Sequence, residues 1–239
     1  MGHQVFNIQE VADYLHIASA DVKLLVRSSE IPFERMGPRC MFRKQEIDAW
    51  ASQRILGLHD GELTNYHRET TRKAQRFDEE ESVVRTMVQP EFVVADLTSK
   101  TKAGVIRDMV TLAERTDYVV YPEDLLASLQ ERERMGSTAL AGGLALLHPK
   151  HHDPYTVDRS FVCLGRTVQA VPFGSPDGRT TDLFFLICCQ DEKLHLHALT
   201  RICMMCYHTS VLFDLREAKT AEEMFDCLCK AESEVQQCV

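Results

Sequence analysis

His148 occupies a position that suggests chemistry. It ends the apolar run Leu144–Leu147, which two glycines precede, and Pro149 follows it at once. A neutral imidazole nitrogen is a good nucleophile near pH 7, so a strand that delivers a histidine to the surface could serve a group-transfer reaction. A lone histidine after a strand is more often an ordinary strand end before a turn. The chemical interpretation therefore needs support from the rest of the sequence.

Two groups of side chains have spacings that metal sites use. The run Cys203–His208 contains two cysteines and a histidine, but it lies in an apolar helical stretch with no second ligand pair nearby. His148, His151 and His152 could form a histidine cluster, although the sequence fixes no carboxylate ligand for it. We expect no metal and no cofactor. Most of the 9 cysteines are expected to be small buried apolar residues.

The composition indicates a globular protein without membrane segments. The 239 residues are 44% hydrophobic and 26% charged, and this length suits one large domain or two small ones. No apolar run approaches the roughly 18 residues of a membrane span, and the N-terminus lacks the pattern of a secretory signal. We therefore expect a cytoplasmic protein with no membrane contact, which does not transport sugar by itself.

The net charge of −9 is unevenly distributed. Residues 1–58 carry seven Lys or Arg and seven Asp or Glu, so the whole excess of negative charge falls on the remainder of the chain. An acidic protein binds nucleic acid poorly without a local basic surface. Any contact with DNA must come from a basic face near the N-terminus.

The chain divides into three zones. Residues 1–58 contain short helical patterns and a hairpin, residues 59–88 form a charged linker, and residues 89–239 alternate helix-like and strand-like segments. That alternation is typical of an α/β domain. Helices are predicted over Ser99–Ala113, Pro122–Gln130, Leu194–Tyr207 and Thr220–Lys230, and strands over Ala141–Leu147, Ser160–Val171 and Thr181–Cys189.

The order of motifs in residues 89–239 resembles the IIA domain of the bacterial phosphotransferase system, in its fructose, mannitol and nitrogen-regulatory branch. The matching elements are Arg132-Glu133, Ser137-Thr138, Gly143, His148 and His195-Leu196-x-x-Leu199. The resemblance covers roughly residues 89–235. One departure lies at the site itself, because Leu147 stands where the family usually has proline.

The resemblance implies a mixed sheet flanked by helices and a phosphoryl group accepted on His148. Arg132 would bind the phosphoryl oxygens through its planar guanidinium. His195 would lie beside the reacting ring and donate a hydrogen bond to the phosphoryl group. His197 competes for the second role, but residues two apart on a helix point about 200° apart, and the family motif selects His195. The expected partner is a phosphocarrier protein like HPr. The chain would be a phosphotransferase component rather than a stand-alone enzyme.

The N-terminal zone has the pattern helix, tight turn, helix, hairpin, helix. Apolar residues at 8, 11, 12 and 15 and at 22, 25 and 26 mark the first two helices. The pattern resembles the winged helix-turn-helix of the MerR and excisionase group. The matching residues are Glu10-Val11-Ala12, Leu15, Val22, Arg27, Ile31-Pro32, Gly37, Arg39, Phe42-Arg43 and Trp50.

This second resemblance implies that helix two enters a major groove of DNA while arginines of the hairpin contact phosphates. The candidate DNA-binding residues are Ser19, Lys23, Arg27, Arg35, Arg39 and Arg43. There are two departures: Ser29 stands where the family usually has glycine, and Asp21 places a carboxylate on the recognition helix. The alternative is a small module that binds protein. Proteins of this kind often dimerise, and residues 59–88 could mediate a homodimer.

Both motifs in one chain predict a regulator in which phosphorylation of His148 is coupled to DNA binding and so to transcription. In an alternative interpretation, the protein is a IIA-type phosphocarrier or sensor that acts on other proteins, and the N-terminal module serves for docking or dimerisation. A third interpretation is a IIA fold that no longer carries phosphate, which Leu147 favours.

Overall fold

The chain forms two compact units, Met1–Glu80 and Glu81–Val239. The structure is a computed structural model that describes residues 5–15, 17–57, 82–150 and 155–237. Most of the linker predicted over residues 59–88 therefore lies outside the described residues. The end of that segment, residues 82–88, belongs to the second unit and contains a helix.

The first unit is a winged helix-turn-helix, as predicted. Its elements are β1 (Val5–Phe6), α1 (Ile8–Tyr14), α2 (Ser19–Arg27), β2 (Glu34–Met36), β3 (Arg39–Arg43) and α3 (Lys44–Gly57). The strands pair antiparallel in the order β1-β3-β2. Helix α1 begins with a capping box, in which the Asn7 side chain accepts from the Glu10 N–H and the Glu10 carboxylate accepts from the Asn7 N–H.

The second unit is a five-stranded mixed sheet with helices. Its helices are α4 (Val83–Met87), a short 3-10 helix (Pro90–Phe92), α5 (Lys102–Glu114), α6 (Pro122–Met135), α7 (Glu192–His208), α8 (Val211–Glu217) and α9 (Ala221–Gln237). Its strands are β4 (Val93–Leu97), β5 (Ala139–Leu140), β6 (Leu144–Leu147), β7 (Phe161–Val171) and β8 (Thr181–Cys188). The strand order is β4-β7-β8-β6-β5. Parallel pairs β4/β7 and β6/β8 alternate with antiparallel pairs, which confirms the predicted mixed sheet.

Helix α6 is longer than its apolar pattern predicts. The pattern ends at Gln130, whereas the helix continues to Met135. Its last turns bury the charged residues Arg132 and Glu133 rather than apolar side chains, so hydrophobic periodicity gives no signal there. The extension is what places Arg132 on a helix.

The strand predicted over Ala141–Leu147 is only half as long. Gly142 and Gly143 have φ of +91° and +81° and form the turn between β5 and β6. Glycine adopts this conformation without the steric cost that a Cβ brings. A Cβ on Gly143 would also lie 2.6 Å from Nη2 of Arg216. The other predicted elements of this unit occur at their predicted positions with shifted ends.

A buried carboxylate fixes the first helix of the second unit. Glu232 on α9 accepts hydrogen bonds from the hydroxyl of Ser82, the N-cap of α4, and from the backbone N–H of Val84 at 3.1 Å. Glu232 is 1% exposed. Burial lowers the pKa of the nearby Arg201 guanidinium, and the charge of Glu232 opposes that shift. Residues 82–84, near the end of the predicted linker, are thus held by hydrogen bonds to a buried carboxylate.

Candidate functional site

Two neighbouring parallel strands bring His148 and His195 to one edge of the sheet. Strands β6 and β8 are adjacent and parallel, with Leu147 opposite Leu186. His148 directly follows β6, and His195 lies near the start of α7, which follows β8. Residues beyond the carboxyl ends of parallel neighbours meet at the same edge. The two ring centroids are 4.9 Å apart, with 44° between the ring planes.

Arg132 completes the cluster from the last turn of α6. Its Nε donates a hydrogen bond to Nε2 of His148 at 2.9 Å, and its Nη1 donates to the carbonyl of Gly136 at 3.1 Å. Nη2 is buried and has no hydrogen-bond partner among the described residues. Burial lowers the pKa of Arg132, and the neighbouring Glu133 carboxylate opposes that shift. The arginine therefore brings a buried cation to the histidine ring and has a spare donor.

The hydrogen-bond partners of His148 fix its neutral tautomer. Nδ1 lies 2.9 Å from the carbonyl oxygen of Leu146, while Nε2 accepts from Arg132. A carbonyl only accepts and an arginine nitrogen only donates. The neutral ring must therefore carry its proton on Nδ1 and direct the lone pair of Nε2 toward Arg132. Nε2 is thus the unprotonated nitrogen of the neutral ring.

His195 and His197, in the first two turns of α7, have different surroundings. His195 packs against His148 and is 1% exposed. His197 lies close enough to Arg201 for that positive charge to act on it. Burial, reinforced by the Arg201 charge, lowers the pKa of His197 to about 4, so its imidazole is neutral at pH 7. The structure thus brings His195 to the cluster.

Glu133 and Lys102 adjoin the cluster as well. Glu133 is 8% exposed and accepts hydrogen bonds from the backbone N–H and the hydroxyl of Thr138 at 3.1 and 2.6 Å. Lys102, at the start of α5, places Nζ 2.6 Å from Glu133. Glu133 is visible in the sequence through its motif. Lys102 is an ordinary lysine at a helix start, distant in sequence, so no pattern marks it.

Two family models match the chain, one in each unit. The model of the phosphoenolpyruvate-dependent sugar phosphotransferase system, EIIA 2, matches residues 86–231, more than half of the chain. The chain belongs to the EIIA 2 family. A model of a helix-turn-helix domain matches residues 5–55. The EIIA 2 match contains the whole five-stranded sheet and all three residues of the His148 cluster.

The EIIA 2 unit is similar to nitrogen-regulatory and sugar-specific proteins. The nitrogen regulatory protein IIA-Ntr from Neisseria meningitidis has a TM-score of 0.56 at 26% identity, covering 62% of this chain and 99% of its own. IIA mannitol from Escherichia coli has a TM-score of 0.53 at 20% identity, covering 59% of this chain and 98% of its own, and shows the fold alone.

The match covers nearly all of one curated relative and a small part of another. A nitrogen regulatory protein of Bradyrhizobium diazoefficiens is 25% identical over 154 residues, which are 61% of this chain and 94% of the relative. The fructose-specific EIIABC component of Bacillus subtilis is 28% identical over 139 residues, 56% of this chain, and the match covers only 21% of that relative. The predicted IIA domain with an N-terminal helix-turn-helix is confirmed.

All six candidate DNA-binding residues lie on α2 or on the hairpin of β2 and β3. Helix α2 carries Ser19, Lys23 and Arg27, and the hairpin carries Arg35, Arg39 and Arg43. All but Ser19 are exposed. The Ser19 hydroxyl donates to Oε1 of Gln9 at 2.6 Å, so it ties α2 to α1.

The arginines of the hairpin do not form a single face. Arg35 lies opposite Cys40, and Arg39 lies opposite Met36. Because side chains alternate along a strand, Arg39 and Arg43 share one face and Arg35 lies on the other. Arg43 also forms an ion pair with Glu34 at 2.7 Å. All three arginines are exposed, as expected. Only Arg39 and Arg43 lie on the same face of the hairpin, and Arg43 is already paired with Glu34.

The candidate metal ligands are not brought together in the described residues. Within those ranges, no group of three His, Cys, Asp or Glu residues could hold a metal ion. Cys203 and Cys206 are buried, and burial raises the pKa of both thiols, that of Cys206 to about 12. His151 and His152 lie outside the described residues.

No described helix is long and apolar enough to cross a bilayer.

Proposed function

We propose that His148 accepts a phosphoryl group from a phosphocarrier protein of the HPr type, and that its phosphorylation state controls DNA binding by the N-terminal unit. The observation that carries the first part is the 2.9 Å contact of His148 Nε2 with Arg132 Nε, beside the His195 ring. Membership of the EIIA 2 family supports it. The helix-turn-helix match supports the second part.

The transfer would proceed by attack of Nε2 on the phosphorus carried by the donor histidine. The N–P bond to the donor breaks, its electron pair returns to the donor nitrogen, and a new N–P bond forms at His148. The proton on Nδ1 stays in its hydrogen bond to the Leu146 carbonyl, which stabilises the positive charge that the ring gains. Such a transfer depends mainly on positioning and charge neutralisation.

Arg132 would have to move during the reaction. It donates to the lone pair that performs the attack, and His148 is only 2% exposed. Its Nη2 is a buried donor without a partner among the described residues, which is a costly arrangement. An arriving phosphoryl oxygen would satisfy Nη2 and draw Nε–H away from the ring. Once Nε no longer donates to the ring, the guanidinium would bind the incoming phosphoryl group.

Intact-mass measurement tests the phosphorylation. The full chain is mixed with enzyme I, HPr and phosphoenolpyruvate, alongside the variants His148→Ala and His208→Ala. We expect an acid-labile gain of one phosphoryl group in wild type and in His208→Ala, because His208 lies exposed at the end of α7. His148→Ala should show no gain. A folded wild-type protein that gains no mass would contradict the proposal for this donor.

A second candidate function uses the N-terminal unit for protein docking. It is favoured by the Arg43–Glu34 ion pair and by Asp21 on α2, which weaken the positive potential of the DNA-facing elements. Salt dependence distinguishes the two functions. Binding to duplex DNA through phosphate contacts falls steeply between about 50 and 200 mM salt, and Arg39→Ala should reduce that slope. Salt-insensitive or absent retention on DNA would favour docking.

A further inference from the structure

A chain of hydrogen bonds connects Lys102 with the imidazole of His148. Lys102 pairs with Glu133, which accepts from the backbone N–H of Thr138. The carbonyl of Thr138 accepts from the N–H of Leu146 at 3.1 Å, and the carbonyl of Leu146 faces Nδ1 of His148. Every donor between His148 and Glu133 points toward the carboxylate. The path runs through the backbone of Thr138 and Leu146, so the position of Glu133 bears on the position of the carbonyl that faces His148.

A second set of contacts holds the loop that orients Arg132. Residues 136–138 connect α6 to β5, and the carbonyl of Gly136 accepts from Nη1 of Arg132. Lys102 Nζ and the Ser137 hydroxyl both donate to the carbonyl of Phe173, each at 2.9 Å. Lys102 therefore contacts two acceptors that are linked to this loop, the carboxylate of Glu133 and the Phe173 carbonyl.

We propose that Lys102 is a positioning residue for phosphoryl transfer: through Glu133 it holds residues 136–138, and with them the Arg132 guanidinium and the Nδ1–H tautomer of His148. This inference rests on the proposed phosphorylation of His148. A buried carboxylate needs a charged partner. Without Lys102, the adjacent Arg132, whose charge already interacts with Glu133, would attract the carboxylate. Turning toward Arg132 would release Thr138.

Transfer kinetics give the first test. Lys102→Met removes the charge and keeps the length, Lys102→Arg restores the charge, and Lys100→Met is a matched control at an exposed lysine of the same segment. With phosphorylated HPr as donor, we expect Lys102→Met to slow the maximal transfer rate about tenfold with little change in the half-saturating donor concentration. Lys102→Arg should recover most of the rate, and Lys100→Met should match wild type.

Nitrogen NMR of the histidine rings tests the same inference without any phosphoryl transfer. Wild type should show the Nδ1–H tautomer of His148, and Lys102→Met should show a mixture of tautomers or faster exchange of that proton. A wild-type rate and an unchanged ring spectrum in folded Lys102→Met would overturn the role of Lys102. If wild type takes no phosphate but Lys102→Met disturbs the tautomer, the proposed function fails while the positioning role stands.

Discussion

At the scale of single residues, the proposed phosphorylation of His148 depends most directly on Arg132. In the resting form, its Nε–H covers the lone pair of His148, and Nη1 is anchored on the carbonyl of Gly136. The planar guanidinium thus has Nη1 bound to a carbonyl, Nε bound to the ring and Nη2 without a partner among the described residues. In the proposed reaction, Nε would have to release the ring. A lysine could supply the charge but not this geometry, because its ammonium is a compact point charge.

We therefore expect Arg132→Lys to slow phosphorylation of His148 about 100-fold, the usual cost of removing a placed donor from a charge-stabilising site. Single-turnover transfer from phosphorylated HPr measures it. Arg134→Lys is the control, because Arg134 belongs to the same helix and is exposed. Equal rates for Arg132→Lys and wild type would show that charge alone suffices.

His197 makes the stability of the second unit depend on pH. Its pKa is lowered from the usual 6.5 to about 4 in the folded chain. The unfolded chain therefore binds a proton first as the pH falls, and stability is lost between about pH 6.5 and pH 4. As the pH falls through this range, we expect the free energy of unfolding of His197→Gln to decrease by about 2 kcal/mol less than that of wild type. Urea unfolding measures both. Parallel pH profiles for the two proteins would contradict this expectation.

At the scale of elements, the end of α2 carries a strained residue. Ser29 has φ of +58°, a left-handed conformation that costs a residue with a Cβ about 1 kcal/mol more than glycine. This conformation gives a physical reason for the glycine that the helix-turn-helix family usually has there. Ser29 in place of glycine therefore lowers the stability of the first unit without changing its fold.

Ser29→Gly should accordingly stabilise the first unit by about 1 kcal/mol. Fluorescence of Trp50 during urea unfolding reports on this unit, because Trp50 is the one tryptophan of the chain and lies on α3. Ser28→Gly is the matched control. Its φ is −80°, so glycine brings no relief there and should lower stability. The same change of stability in both variants would contradict the strain.

The attachment of α4 to α9 depends on the charge of Glu232. Glu232→Gln removes the charge near the buried Arg201, and we expect a loss of about 2–3 kcal/mol in unfolding free energy. Hydrogen exchange should show lower protection of the Val84 amide, which Glu232 accepts in wild type. Glu234→Gln, on the exposed side of α9, should change neither quantity appreciably. Unchanged Val84 protection would show that α4 is held by its apolar contacts.

At the scale of the whole molecule, charge is divided between a neutral N-terminal part and an acidic remainder. Phosphorylation adds nearly two further negative charges to the acidic part. We expect phosphorylated protein to bind a duplex recovered from random-sequence selection about threefold or more weakly than unphosphorylated protein at low salt. Equal affinity of phosphorylated wild type and His148→Ala would contradict the coupling.

Much of the fold follows from local patterns. The first two helices of the first unit and the buried strands β6, β7 and β8 have apolar periodicities or runs that mark them directly. The patterns failed where polar side chains are buried or a turn interrupts an apolar run. The last turns of α6 bury Arg132 and Glu133, and the two glycines before β6 form a turn.

The sequence by itself determined the two families and predicted His148, His195 and Arg132 as the candidate site, because motif order and spacing are properties of the chain. Only the tertiary structure decided which nitrogen of His148 is unprotonated in the neutral ring, since the Leu146 carbonyl contacts Nδ1 and Arg132 donates to Nε2. It also decided the contact of Lys102 with Glu133, 31 positions away in the printed sequence. Contacts between distant segments depend on how helices pack on the sheet, and no local pattern encodes that packing.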